Sequence, residues 1–122
     1  MHTVVETQPF ARAAKRCGLS EDALNDLVSL LANHPDVGDE IPGTGGCRKI
    51  RFAASGKGKR GGYRVITFFT GRSIPLFLLT MYAKGERSDL NKAEVNALKD
   101  LTKRLVASYS DKPSKVGSKL RN

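Results

Sequence analysis

Two β-forming runs, Tyr63 to Thr70 (YRVITFFT) and Leu76 to Tyr82 (LFLLTMY), are separated by little more than Gly71-Arg72-Ser73. A link that short ties them as an antiparallel hairpin. A third run, Arg48 to Ala53, alternates charged with apolar residues, as a strand with one face on a core does. The centre of the chain is thus expected to form a small antiparallel sheet, whose apolar side the flanking segments must cover. Helical spacing appears on both sides of it. Phe10, Ala13, Ala14 and Cys17 recur at i, i+3, i+4, i+7 behind a Thr7 N-cap and Pro9, with Gly18 placed to end that helix. Ser20 caps a second helix with Glu21 and Asp22 in its first turn and the stripe Leu24, Leu27, Val28, Leu31; Pro35 stops it. Asn91 and Glu94 have capping-box spacing ahead of a helix from Asn91 to Val106, striped by Val95, Leu98, Leu101 and Leu105. Thr3 to Glu6 is a short β-prone stretch, and Asp36 to Gly46 reads as loop. The expected order is β-α-α-β-β-β-α, an α+β fold with a small antiparallel sheet packed on helices. The 122 residues hold one domain, 1–107, and a basic tail, 108–122, which lacks periodicity and is expected to be mobile.

The formal charge of +9 is unevenly spread. Between Cys17 and Cys47 there is no Lys or Arg, while Glu21, Asp22, Asp26, Asp36, Asp39 and Glu40 all fall there. From Arg48 to Arg64 the balance reverses, with Arg48, Lys49, Arg51, Lys57, Lys59, Arg60 and Arg64 and no acid. A face kept charged for solubility intersperses the signs; a concentrated basic block is the footprint of a polyanionic partner. Other classes fall away. The longest mostly apolar run, Ile74 to Ala83, is well short of the ~20 residues of a membrane span. No basic-then-apolar leader opens the chain, and Cys17 and Cys47 cannot make a disulfide framework. The expectation is a cytoplasmic protein with reduced thiols.

Motifs for cofactors are equally thin. Gly56-Lys57-Gly58-Lys59-Arg60-Gly61 has the letters of a dinucleotide fingerprint, but a strand follows it where a helix is required. His2 and His34 are the only histidines, so neither a metal site nor a histidine-based nucleophile is expected. What remains is basic geometry. Lys49 and Arg51, two apart on a strand, share a face opposite Ile50 and Phe52. Arg64 opens the next strand and can be brought beside them. Tyr82 ends the third strand with Lys84 following on the same side. The glycines around Lys57, Lys59 and Arg60 let backbone approach phosphates closely.

Taken together, these segments resemble the RelE/ParE superfamily of bacterial toxins, specifically its HigB-like branch. The resemblance covers residues 3 to 107. It is carried by TVVET at the start, by DVGDEIPGTGG running into CRKIR, by GKGKRGGYRVI, and by LLTMYAKGERSDL from Leu78 to Leu90. It implies a type II toxin–antitoxin toxin that cleaves mRNA in the ribosomal A site, without cofactor or metal, by attack of the ribose 2′-OH on the adjacent phosphate. The family's basic strand pair falls on Lys49 and Arg51, and its next-strand arginine on Arg64. Where some relatives carry a further arginine Gly85 stands, and Lys84 beside it is the natural substitute. Relatives use His, Glu or Tyr as acid or base; here Tyr82 and Lys84 are the candidates. Arg48, Lys57, Lys59 and Arg60 are expected to bind RNA.

The resemblance also implies a cognate helix-turn-helix antitoxin similar to HigA, with operator DNA reached only through it and no membrane partner. The same scaffold serves ParE-like toxins, which inhibit a topoisomerase by protein binding without nuclease activity. Convergent Lys49, Arg51 and Arg64 favour RNA over that alternative, since a protein-binding toxin needs no phosphate donors. A non-catalytic RNA-binding module is a third reading.

Overall fold

A computed structural model describes residues 2–53, 62–71, 73–87 and 89–111, without the side chains of 110 and 111. The elements are β1 (Val4–Glu6), α1 (Gln8–Cys17), α2 (Glu21–Asn33), β2 (Asp39–Glu40), β3 (Cys47–Ala53), β4 (Gly62–Phe68), β5 (Leu76–Ala83) and α3 (Lys92–Asp111). The helix starts are those expected from the caps. The Thr7 hydroxyl accepts from the Phe10 N–H and that of Ser20 from the Ala23 N–H, while Gly18 ends α1 in the left-handed region at φ 72°. At α3 the box is reciprocal: the Glu94 N–H donates to Asn91 Oδ1 at 2.8 Å, and the Asn91 N–H to Glu94 Oε1 at 2.9 Å.

Three expectations are corrected. The sheet is mixed rather than antiparallel, with strand order β1-β5-β4-β3-β2, because β1 lies parallel to β5 in the register Val4↔Leu76. Thr7 locks that distant pairing, its N–H donating to the Leu78 carbonyl at 3.2 Å and its hydroxyl to the same oxygen at 2.8 Å. The segment read as loop contains β2, a two-residue strand antiparallel to β3, so the order gains a strand. Finally, α3 runs on to Asp111, since beyond Val106 Tyr109 still packs on the sheet, edge-on to Phe77 at 5.7 Å. Residues 112–122 of the tail lie outside the described residues, as do Lys57, Lys59 and Arg60.

Both faces of the sheet are covered, unequally. One carries Ile50, Phe52, Tyr63, Val65, Leu76, Leu78 and Met81 beneath α1 and α2. The other carries Cys47, Ile66, Phe68, Phe77, Leu79 and Tyr82, with Leu98, Leu101 and Leu105 of α3 against it. The loop before β3 is fastened to this second layer. The buried Thr44 hydroxyl donates to the Ile41 carbonyl and accepts from the Cys47 N–H, and the Thr102 hydroxyl on α3 donates to the Thr44 carbonyl at 3.1 Å. One helix cannot span a whole sheet face, and the end of β3–β5 that α3 leaves open is where the basic residues stand.

Candidate active site

Strand register sets the site. Arg51 pairs with Arg64 across β3 and β4, and Arg64 pairs with Tyr82 across β4 and β5. The three form one row over the sheet, on the α3 face. Lys49 shares that face one step along, opposite Ile66, and is therefore diagonal to Arg64. Like charges directly opposite on neighbouring strands destabilise a sheet. Among the described residues neither Arg51 nor Arg64 has an ion-pair partner, so the cost is left uncompensated. Lys84 completes the group. It follows β5 in an exposed turn, its backbone N–H donating to the Gly62 carbonyl at 3.0 Å. An open cleft of ≈ 360 Å³ lies among Arg51, Arg64, Lys84 and Gly62.

The β5 side is arranged by the turn into α3. Asp89 reaches back to Lys49, with Oδ1 3.2 Å from Nζ. Its carboxyl is held below the ordinary carboxylate range, first by the Leu90 N–H and then by Lys49. Arg87 forms a two-pronged ion pair with Glu94, donates to the Asp89 carbonyl, and lies over the Tyr82 ring with its central carbon 5.1 Å from the ring centre. Tyr82 itself is buried, and its hydroxyl has no hydrogen-bond partner among the described residues. Burial pushes its pKa up, opposed by Lys49, Arg87 and Arg64 and assisted by Asp89. The phenol therefore stays protonated at neutral pH.

Sequence reasoning thus places Lys49, Arg51, Arg64, Tyr82 and Lys84 in one neighbourhood, and the structure brings all five there. Arg48 stands apart. It alternates to the opposite face, donates to the Gly38 carbonyl at 3.1 Å and pairs with Glu40 at 3.6 Å. Arg87 and Asp89 were missed as site residues. Their signal was the capping box: a box that fixes Glu94 at the start of α3 also fixes whatever Glu94 can hold. Among the described residues no group of three or more His, Cys, Asp or Glu side chains is gathered as a metal site. Nor, among them, is any helix long and apolar enough to cross a membrane.

This arrangement can be set beside known proteins. The structure of a double arginine-to-alanine mutant of the E. coli toxin RelE, in its free state, superposes with a TM-score of 0.50. The match covers 83% of this chain and 96% of that one at 16% sequence identity, a level that speaks for the fold alone. The family model described as "RelE toxin of RelE / RelB toxin-antitoxin system" matches residues 2–119. With nearly its whole length accounted for in this way, the chain belongs to the RelE toxin family.

Proposed function

We propose that this toxin is a ribosome-dependent mRNA endonuclease of the HigB-like kind, paired with a helix-turn-helix antitoxin. The observation that carries the reading is the Arg51–Arg64 pair, two arginines set opposite each other with, among the described residues, no carboxylate paired to either. A fold tolerates that arrangement when a phosphate is to lie there. In the proposed reaction the ribose 2′-oxygen bonds to phosphorus as the bond to the 5′-oxygen breaks. The products are a 2′,3′-cyclic phosphate and a 5′-hydroxyl. Arg64 and Arg51 take the non-bridging oxygens, whose charge grows in the transition state, and Lys49 adds a third cation from the diagonal position. Tyr82, protonated and covered by Arg87, donates to the leaving 5′-oxygen once bound RNA draws Arg87 off its ring. Lys84, an exposed ammonium at the mouth of the same cleft, adds a further cation, and the 2′-OH proton passes to water.

Induction in cells followed by primer extension on transcripts tests this. Cuts within translated codons, absent with Arg64→Ala, are the expected result. Intact mRNA accompanied by DNA damage would instead point to a topoisomerase-directed toxin.

A further inference from the structure

Among the described side chains of α3, both acids are already spent. Glu94 is paired with Arg87, and Asp100 with Arg104 at 2.8 Å. The lysines are not: among the described residues Lys92, Lys99 and Lys103 have no carboxylate partner, and all three are exposed. With Asn96 they stand at i, i+4, i+7 and i+11, one stripe of the helix running about 16 Å at 1.5 Å per residue. The stripe begins at the end of α3 that Arg87, Asp89 and Glu94 tie to Tyr82 and Lys49, on a different helix face from Glu94. Along its far half lies a recess of ≈ 360 Å³ with a mostly apolar wall, formed by Phe68, Val106, Thr102 and Gly45 under Lys99 and Lys103.

We infer that this flank of α3 seats the single-stranded RNA on one side of the cut, its phosphates on the lysines and one base turned into the recess. The inference rests on the reading of the chain as an RNA-cleaving toxin. Single-strand binders combine a cationic track with apolar surface for the bases, whereas a duplex offers only its backbone. Asn96 is the one side chain of the exposed stripe able to read a base edge, and the recess wall is mostly apolar, so the seat discriminates little by sequence and acts chiefly through length and salt.

The test is fluorescence anisotropy of the full chain with 2′-O-methyl RNA, which cannot be cut: a trinucleotide, a twelve-nucleotide strand, and that strand in a duplex. Lys99→Gln with Lys103→Gln should weaken the long strand roughly tenfold and flatten its log–log salt slope by about 1.4, from ~0.7 per phosphate released. Trinucleotide binding should not change, and Lys15→Gln on exposed α1 should change nothing. Arg64→Ala should weaken both lengths. Long-strand affinity unmoved by the α3 pair, or duplex held as well as single strand through those lysines, would overturn the seat. Trinucleotide binding unmoved by Arg64→Ala would overturn the proposed cleavage site instead, which keeps the two failures distinct.

Discussion

Arg64 bears the sharpest prediction, because two consequences of one substitution point in opposite directions. Arg64→Ala should cut cleavage by about 10²–10³, as losing one preorganised donor does. Relief of the opposed Arg51 should meanwhile leave stability unchanged or slightly raised in urea unfolding. Tyr82→Phe should behave alike for a different reason. Among the described residues its buried hydroxyl has no partner, so its removal should stabilise the fold by about 1 kcal/mol, while cleavage falls with loss of the proposed acid. Full activity in Tyr82→Phe would move the acid elsewhere. Cys47 is the contrast. Burial, partly opposed by the Thr44 hydroxyl, lifts its pKa to about 11, and the thiol should resist alkylation in the native protein and react only on unfolding.

Among the elements, the start of α3 links stability to pH. Glu94 is held below its ordinary value of 4.5, first by the hydrogen bond from Arg87, against a smaller opposing effect of burial. A carboxyl lowered in the folded state contributes stability above its unfolded value and loses it as pH falls through the folded one. Acid unfolding should therefore steepen below about pH 4.5, where the unfolded chain takes up the proton first, and Glu94→Gln should remove that part of the slope. The loop before β3 makes a steric prediction. Gly38 sits at φ +103°, and a Cβ there would lie 2.8 Å from the Lys49 carbonyl oxygen and 2.7 Å from Ile50 Cγ1. Gly38→Ala should cost about 1–3 kcal/mol, seen as a lowered Tm. The helix caps and three main strands were legible from local chemistry alone. The two-residue β2 was not, because a strand that short exists only where β3 lies ready to pair with it.

At the scale of the whole molecule, the acids of α2 and the arginine row stand on opposite sides of the sheet, although α1, in the same rear layer as α2, carries exposed Arg12, Lys15 and Arg16. Exposed Glu21, Asp22 and Asp26 on α2 belong to the layer behind the sheet, while the arginine row is in front. An antitoxin that docks away from the row should bind with weak salt dependence and still recognise Lys49→Ala with Arg64→Ala. Calorimetry at two salt concentrations checks this, and a several-hundredfold loss at high salt would place the antitoxin on the row. The sequence by itself determined where the helices start, where the three main strands lie, and that Lys49 and Arg51 share a face, because caps and alternation act over a few residues. Tertiary structure alone decided where Tyr82 points. Ile66 pairs with Thr80 but Thr67 with Leu78, so β5 holds one extra residue there. Leu76 and Leu78 face α1 and α2, yet past this bulge Tyr82 faces α3 beside Arg64. Strict alternation would have turned it away. A bulge reverses parity only when two strands are already paired, and pairing depends on packing that no stretch of β5 carries within itself.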